Sequence, residues 1–324
     1  MIDREEIEKP VTGAFEDFQK NFNAALYSEI RTIQSAIETL QHSNGKHIRP
    51  LLLLLTAKAC GNVTAVSVSS AVMLELVHTA SLIHDDVVDE TKLRRGIPSV
   101  NATHDNRVAV LLGDFILSNA LIRAINTGST QIVRIMADLF HEMAEGEIKQ
   151  LENADELVLT EKDYFIALEK KTAMLLASCT EIGAITANAP VELQQMCKKF
   201  GKLLGYCFQI KDDIFDYFDN INIGKPNGND IREGKVTLPL LYALESSSPE
   251  EKKPYLEILT AKQFTPENVS LLIRFAKEKK GIEYAESRMI EYKAKALEII
   301  DSLPDSEARN SLALLANYLI ERAK

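Results

Sequence analysis

Two groups of aspartates, each closing an apolar stretch, constrain this chain more than any other feature. Asp85, Asp86 and Asp89 end an apolar segment that begins near Glu75. The same Asp-Asp-x-x-Asp spacing recurs later in the chain, at Asp212, Asp213 and Asp216. Carboxylates this close repel one another, and burial disfavours their charged forms further. The pattern therefore predicts that something positively charged lies at each of these helix ends.

The composition of each aspartate group favours magnesium over other metals. Asp85 and Asp89 share one face of a helix, and Asp86 lies about 100° around from Asp85. The ligands are hard oxygens without a matching set of His or Cys, which argues against zinc. Calcium loops place ligands at alternating positions around a glycine, and neither group has that form. Solvated, Asp-rich helix ends are the alternative, and two copies of identical spacing disfavour it.

The overall composition favours an all-α chain. The sequence has 324 residues, of which 46% are hydrophobic, with only 14 Gly and 10 Pro. Apolar residues recur at spacings of three and four rather than alternating. We therefore expect a single domain over residues 1–324, built as one large helical bundle. The formal net charge of −10 excludes a uniformly basic face for nucleic acid.

Cysteine usage and the N-terminus predict a cytoplasmic protein. The four cysteines form no Cys-x-x-Cys pair, so we interpret them as core thiols in a reducing compartment. The charged N-terminus lacks the apolar region of a signal peptide. Lys58 follows the short run from Leu51 to Ala57, and we expect that no apolar run reaches the length of a membrane span and that there is no transmembrane segment.

Apolar periodicity predicts helices along most of the chain, separated by short breaks. Their approximate ranges are 13–41, 50–60, 64–89, 105–126, 129–153, 161–187, 190–219, 236–246, 250–260, 265–279, 282–303 and 306–322. Polar loops containing glycine and proline follow the two aspartate groups, at 90–104 and 220–235.

Basic residues fall in few places, and a phosphate-rich ligand would need them there. They are Lys46, Arg49, Arg94, Arg95, Lys171, Lys225 and Lys235. Lys171 lies in an otherwise apolar helix, where a snorkelling lysine is the alternative. The loop lysines are ordinary when taken alone, and the adjacent arginines could form a surface pair. His78, two turns before Asp85, is either a core histidine or a ligand.

Together these residues resemble the motifs of the trans-isoprenyl diphosphate synthases, the polyprenyl synthetase family, and most resemble its long-chain members. The likeness spans nearly the whole chain. It rests on seven motifs in family order: Gly45-Lys46-x-x-Arg49-Pro50; Glu75-x-x-His78; His84-Asp85-Asp86-x-x-Asp89 with Arg94-Arg95-Gly96; Gly146-Glu147-x-x-Gln150; Lys171-Thr172; Phe208-Gln209-x-x-Asp212-Asp213-x-x-Asp216; and Gly224-Lys225 through Gly228-x-Asp230 to Gly234-Lys235-x-Thr237-Leu238-Pro239.

The resemblance implies a fold and a reaction. The fold is the isoprenoid synthase bundle around a central cavity. The reaction joins isopentenyl diphosphate head-to-tail to an allylic diphosphate such as farnesyl diphosphate. More than one Mg²⁺ bridges the six aspartates and the allylic diphosphate, and the released diphosphate accepts the final proton. Catalytic roles fall to Lys171, Thr172, Gln209 and Lys235.

Substrate-binding roles follow from the same resemblance. Isopentenyl diphosphate is assigned to Lys46, Arg49, His78 and Arg95. Arg94 adds charge at the allylic diphosphate, Gln150 lies close to the first aspartate group, and Lys225 also binds substrate. The family further implies a homodimer, for which the apolar stripe of residues 105–126 is a candidate contact.

One motif departs from the family's pattern. Family members often read Gly-Gly-Lys-Arg-x-Arg-Pro at the first basic site, whereas this chain has Asn44 for the first glycine and His47 for the middle arginine. The resemblance therefore does not imply the shape of this loop, although it still covers Lys46 and Arg49.

Residues before the first aspartate group bear on product length. In short-chain members, bulky aromatic residues four or five positions before the first Asp block the growing chain, and here Ser81 and Ala80 occupy those positions. With Val77 they predict an open channel, and tight helix packing is the alternative. Met136 and Phe140 share a helix face and form a candidate floor. We expect a heptaprenyl or octaprenyl product, as a precursor of a quinone side chain.

Three other functions compete with this interpretation. A shorter-chain geranylgeranyl or farnesyl diphosphate synthase differs only in product length. A class I terpene cyclase usually carries an Asn/Asp-Ser/Thr-Glu triad as its second metal site. A non-catalytic subunit of a heteromeric synthase typically lacks one aspartate group. Both groups are whole here, which favours the synthase.

Overall fold

The computed structural model describes residues 4–41, 45–94, 96–157, 159–218 and 228–321. Within them the chain is almost entirely helical, which confirms the all-α prediction. A single antiparallel hairpin is present in these ranges, with strands β1 (Leu93–Arg94) and β2 (Ile97–Pro98).

The helices of the first half follow the predicted order. They are α1 (Arg4–Glu8), a 3₁₀ turn (Lys9–Val11), α2 (Thr12–Ala25), α3 (Arg31–Gln41), α4 (Ile48–Cys60), α5 (Ala65–Val88), α6 (Val100–Thr103), α7 (Asn106–Asn126) and α8 (Thr130–Glu156).

The second half continues in the same way, with a π-helical turn between two α-helices. The elements are α9 (Glu161–Leu168), the π turn (Glu169–Ala173), α10 (Met174–Thr186), α11 (Val191–Asp216), α12 (Asn229–Arg232), α13 (Leu238–Glu245), α14 (Pro249–Thr260), α15 (Pro266–Glu278), α16 (Gly281–Asp301) and α17 (Glu307–Glu321).

The chain forms two compact units. The first comprises residues 1–137, 178–198 and 300–315, and the second comprises 138–177, 199–299 and 316–324. The expectation of a single domain over the whole chain stays a prediction.

The single helix expected over 13–41 is wrong, because the chain leaves the helix between α2 and α3. Local hydrogen bonds replace helical ones there: the Ser28 amide donates to Gln34 Oε1 at 3.2 Å, and the Ile30 amide donates to Ser28 Oγ at 3.2 Å. Serine and glutamine side chains of this kind compete with the helical backbone pattern.

Two helices, α5 and α7, are long and apolar enough to cross a membrane by length and composition alone. The expectation that no run reaches this length is therefore wrong for them. The fold buries 61% of the apolar window of α5 and 33% of that of α7. Core helices of globular proteins pass the same test, so this property is weak evidence for a membrane span.

Local sequence determines where the two long helices of the first unit begin. Thr64 and Ser67 form a capping box at the start of α5, each side chain accepting from the other residue's amide. Asp105 Oδ1 accepts from the Val108 amide at 2.8 Å at the start of α7. These caps satisfy backbone donors that a helix start otherwise leaves without a partner.

Close helix packing in the first unit depends on a glycine. The leucines at positions 51–55 of α4 are fully buried. A Cβ atom added at Gly183 of α10 would lie 2.6 Å from the Leu53 carbonyl oxygen and 3.0 Å from Thr56 Cβ. Only glycine allows the two backbones to approach this closely.

The core of the second unit surrounds the π turn. Ala173, the last residue of the turn, is fully buried in one apolar cluster with Cys207 and Ile210 of α11 and Leu238 of α13. Of the four cysteines, three are buried and Cys60 is half-buried, and all are free thiols. This placement agrees with their interpretation as core thiols.

We predict that Gly183→Ala lowers the free energy of unfolding by about 1–3 kcal/mol, because the added methyl group overlaps the α4 backbone. Gly13→Ala is the matched control. Gly13 lies in α2 with nothing near its absent side chain, so alanine there should stabilise by up to about 1 kcal/mol. Chemical denaturation of both variants is the measurement, and equal midpoints for Gly183→Ala and the native chain would contradict the packing argument.

Candidate active site

The first aspartate group lies in the last turn of α5. Asp85 and Asp86 are within the helix, and Asp89 is its C-terminal capping residue. The C-terminal end of a helix carries partial negative charge, so carboxylates there are unfavourable unless a cation is near. The predicted position of the group at a helix end is therefore confirmed, and its electrostatics favour a cation.

Asp86 is already paired within the protein. It is only 6% exposed, and the Arg94 guanidinium donates to both of its oxygens, from Nε at 2.9 and 3.1 Å and from Nη2 at 2.6 Å. Asn101 Nδ2 donates to the Asp86 carbonyl oxygen at 2.9 Å. The hairpin and α6 are thus attached to the end of α5 through this residue. Arg94, assigned above to the allylic diphosphate, binds a carboxylate in this structure instead.

The second aspartate group ends α11 in the second unit. Asp216 accepts hydrogen bonds from the backbone amides of Asn229 at 2.9 Å and Asp230 at 3.0 Å, at the start of α12. The Asp230 carbonyl oxygen in turn accepts from the Lys235 amide at 2.8 Å. Asp216 therefore holds the start of the segment that carries Lys235.

A chain of hydrogen bonds runs through Asp213. Thr172 Oγ1 donates to Gln209 Oε1 at 2.9 Å, and Gln209 Nε2 donates to Asp213 Oδ1 at 2.9 Å. Tyr164 Oη donates to the other carboxylate oxygen, Oδ2, at 2.6 Å. Three residues assigned to the site from sequence are thus joined directly, and Tyr164 is added to them.

Burial dominates the electrostatics of this group. It raises the pKa of Asp213 to about 7, the hydrogen bonds from Tyr164 and Gln209 act against it, and the charges of Asp212 and Asp216 act with it. Burial and the charges of Asp213 and Asp216 also raise the pKa of Asp230 well above its usual range. Burial and neighbouring carboxylates thus disfavour the charged forms, and a bound cation would stabilise them.

The π turn presents Lys171 and Thr172. Lys171 Nζ lies 2.5 Å from Glu147 Oε2 and 2.9 Å from Gln150 Oε1, both on α8. The preceding residue, Lys170, pairs instead with Glu142 at 2.8 Å and with Glu145. Consecutive lysines therefore have different partners, and only Lys171 contacts the motif residues Glu147 and Gln150. π turns inside α-helices are frequent at functional sites.

Two glycines allow neighbouring helices to approach this turn. A Cβ at Gly146 of α8 would lie 2.8 Å from Lys170 Cβ, and a Cβ at Gly205 of α11 would lie 2.5 Å from Ala173 Cα. Both distances are shorter than those that Cβ atoms in proteins keep from their neighbours. The turn is therefore held by backbone contacts on both sides, which leaves Lys171 little freedom of position.

A cavity of about 170 Å³ in the second unit collects these groups. Its lining includes both lysines assigned catalytic roles, together with the Thr172–Gln209–Asp213–Tyr164 chain. Lys235 Nζ donates to Glu233 Oε2 at 2.7 Å, and its side chain is mostly buried. The space has room for several water molecules or a small anionic group, since liquid water occupies about 30 Å³ per molecule.

The remaining predicted substrate-binding residues differ in their exposure to solvent. In the first unit Lys46 is exposed, while Arg49 and His78 are half-buried. Arg95 and Lys225 lie outside the described residues, so their assigned roles stay predictions.

The predicted product-length residues pack as helix residues do. Val77 and Ala80 are buried, and Ser81 is half-buried with its hydroxyl donating to the His78 carbonyl oxygen at 2.9 Å. Met136 is buried and Phe140 half-buried on α8. Their role in product length stays a prediction.

The donor set fits Mg²⁺. Within the described ranges, no three His, Cys, Asp or Glu side chains already form a cluster of metal ligands. Mg²⁺ needs no such cluster, because it binds one or two carboxylates, keeps water and completes its shell with phosphate oxygens. The aspartates at the end of α5 and those at the end of α11 are the carboxylates that would hold it. Among them Asp86, Asp213 and Asp216 also accept hydrogen bonds from protein groups.

Sequence reasoning missed Tyr164. A tyrosine in an amphipathic helix is ordinary, and no local pattern indicates that it contacts an aspartate on a different helix. The Asp230 amide donates to Asp216 and its carbonyl oxygen accepts from Lys235, so the backbone of Asp230 helps to hold this segment.

Comparison with known proteins shows which family this chain resembles. Residues 30–275 match the polyprenyl synthetase family. An octaprenyl diphosphate synthase from Haemophilus influenzae is 34% identical over 323 residues, covering 99% of this chain and 98% of the relative.

Two solved structures extend the likeness to the fold. A polyprenyl synthase from Caulobacter crescentus, complexed with calcium and isoprenyl diphosphate, has a TM-score of 0.92 and 29% identity, covering 99% of this chain and 98% of that one. A geranylgeranyl pyrophosphate synthase from Bacteroides thetaiotaomicron has a TM-score of 0.86 and 37% identity, covering 98% and 99%. The chain belongs to the polyprenyl synthetase family, a family of trans-prenyltransferases.

We predict that Tyr164→Phe weakens Mg²⁺ binding about tenfold. Replacing a residue that orients a metal ligand typically lowers metal affinity by about that factor. The measurement is calorimetric titration of Mg²⁺ in the presence of pyrophosphate. Tyr255→Phe is the control, since the Tyr255 ring stacks on Phe275 and lies outside the cavity lining. Unchanged Mg²⁺ affinity in Tyr164→Phe would show that this hydroxyl does not support the aspartate group.

Proposed function

We propose that this protein condenses isopentenyl diphosphate head-to-tail with an allylic diphosphate, in a Mg²⁺-dependent reaction, to make a long-chain all-trans polyprenyl diphosphate. The observation that carries the proposal is the cavity in which Lys171 and Lys235 lie with the Thr172–Gln209–Asp213 chain. Cations and ordered polar groups stabilise the negative charge that develops on a departing diphosphate.

The first chemical step is cleavage of the allylic C–O bond. The electron pair of that bond leaves with the diphosphate and an allylic cation remains. Lys171 and Lys235 attract the negative charge that develops on the leaving group, and Glu147 and Gln150 hold Lys171 in position beforehand. Bound Mg²⁺ would supply further positive charge at the diphosphate.

The second step joins the two substrates. The π electrons of isopentenyl diphosphate attack C1 of the allylic cation, forming a carbon–carbon bond and a tertiary cation. Loss of a proton then forms the new double bond, with the released diphosphate as acceptor. The oxygen dipoles of Thr172 and Gln209, which line the cavity, stabilise positive charge in their vicinity.

Magnesium is supported by the donor set and by one neighbour. The aspartate carboxylates are hard oxygen donors at negative helix ends. The Caulobacter crescentus protein described above was crystallised with calcium, another hard divalent cation. The product length is proposed from residues, because the relatives named above have products of different lengths.

A homodimer belongs to the same proposal. Helix α7 exposes Leu111, Ile122 and Ile125, which are 67%, 55% and 59% accessible. Apolar side chains exposed along one helix are typical of a surface that a second chain covers.

The decisive assay incubates the purified protein with farnesyl diphosphate, labelled isopentenyl diphosphate and Mg²⁺. A long prenyl diphosphate supports the proposal, whereas a cyclic hydrocarbon indicates a terpene cyclase. Turnover only after addition of a second protein subunit indicates a non-catalytic or dependent subunit.

Within that assay we predict that Lys171→Gln lowers kcat about 10²–10³-fold, since it removes one positioned charge from the leaving group. Lys170→Gln is the matched control, because this adjacent lysine pairs with Glu142 and Glu145. Its kcat should stay within a few-fold of the native value. Equal effects of the two substitutions would remove Lys171 from the reaction.

We predict that Ser81→Phe shortens the product, because a ring four positions before Asp85 narrows the channel. Ala80→Phe should also shorten the product. Because Ala80 is buried, the melting temperature of this variant is compared with that of the native protein. Ala65→Phe, at the exposed first turn of the same helix, is the control. Products are separated by chain length after dephosphorylation, and an unchanged distribution in Ser81→Phe would refute the channel assignment.

A further inference from the structure

His47 has an unusual backbone conformation, and it lies between Lys46 and Arg49, two residues assigned to substrate binding. It has φ 43° and ψ 43°, in the left-handed region, and it is the N-terminal capping residue of α4. Residues other than glycine seldom adopt this conformation unless the surroundings hold them there. Lys46 precedes it directly and Arg49 lies in the first turn that follows, so its backbone angles set the direction in which this segment enters α4.

The surroundings that hold His47 are contacts of its ring. Nδ1 donates to Glu75 Oε1 at 2.9 Å, and Glu75 is only 6% exposed. The ring also packs edge-on against Phe18 and Phe22, with centroid distances of 5.4 and 5.5 Å and interplanar angles of 67° and 68°. Edge-to-face contacts of this geometry are favourable, and a buried hydrogen bond to a carboxylate is strong.

These contacts come from two helices of the first unit. Phe18 and Phe22 lie on α2, with Phe15 packed beside Phe18, and Glu75 lies on α5. Glu75 is three residues before His78, so one helix carries both the partner of His47 and another residue assigned to isopentenyl diphosphate. The His47 ring therefore connects the Lys46–Arg49 segment to α5 and to the aromatic face of α2.

We infer that His47 is a positioning residue for the isopentenyl diphosphate site. Its ring is held by Glu75, Phe18 and Phe22, and its left-handed backbone places Lys46 and Arg49 to bind the diphosphate. His47 itself need not touch substrate. The inference rests on the proposed function, since Lys46 and Arg49 are assigned to isopentenyl diphosphate there.

A purely structural histidine would behave differently. Removing it would lower stability and weaken all ligands together. A positioning residue affects one ligand selectively, and a variant that retains the hydrogen bond restores most of the binding. The chain offers variants that separate these outcomes without disturbing Lys46, Arg49 or the second unit.

The test measures binding of isopentenyl diphosphate alone, by calorimetry, so that no reaction occurs. His47→Gly keeps a residue that accepts positive φ and removes the ring. It should raise the Kd for isopentenyl diphosphate about tenfold or more, while the Kd for farnesyl diphosphate with Mg²⁺ stays within about threefold. In Glu75→Gln the amide oxygen can still accept from His47 Nδ1, so the Kd for isopentenyl diphosphate should stay within about threefold of the native value. Glu75→Ala should raise this Kd as much as His47→Gly does.

Lys280→Gly is the matched backbone control. Lys280 also has positive φ, at 61°, and lies between α15 and α16 in the second unit. Its replacement should leave both Kd values unchanged.

Each result decides the question. Native affinity for isopentenyl diphosphate in a folded His47→Gly overturns the inference, and so does an equal weakening of both diphosphates together with a lowered melting temperature. If the native protein itself does not bind isopentenyl diphosphate, the proposed function fails rather than the positioning role.

Discussion

Close backbone packing around the π turn determines where the reactive side chains of the second unit lie. Gly146 and Gly205 let α8 and α11 approach the turn to distances that any side chain would prevent. A π turn inserts one residue into the helical repeat, so the face presented after it differs from the face before it. Lys171 and Thr172 are placed by that insertion, and Glu147 and Gln209 receive them through specific hydrogen bonds.

The two aspartate groups share a spacing but balance their charge differently. In the first unit Asp86 is neutralised by a full ion pair with Arg94. In the second unit Asp213 receives two hydrogen bonds from neutral donors, so its negative charge is stabilised but not cancelled. Burial consequently raises the pKa of Asp213 to about 7. The middle aspartate of each group is thus oriented by protein partners, as the partners of a metal ligand orient it.

Sequence reasoning located the helices and several of the residues that line the cavity, because both leave local patterns. Apolar spacing of three and four predicted α5, α7 and α11 closely. It missed the break between α2 and α3, where serine and glutamine side chains bond the backbone, and the π turn, where one inserted residue leaves the apolar pattern almost intact. Pairings such as Asp86 with Arg94 or Tyr164 with Asp213 join separate elements, and only the packed chain determines them.

The departure from the family's pattern at residue 47 shows how one substitution is accommodated by its neighbours. An arginine carries a long, flexible cation, whereas a histidine offers a short planar ring. In this chain that ring packs against two phenylalanines and reaches a buried carboxylate, so a compact set of contacts holds residue 47. Phe18 and Phe22 precede the region that matches the family, which begins at residue 30. The N-terminal helix α2 therefore contributes to the geometry of a family motif from outside the matched region.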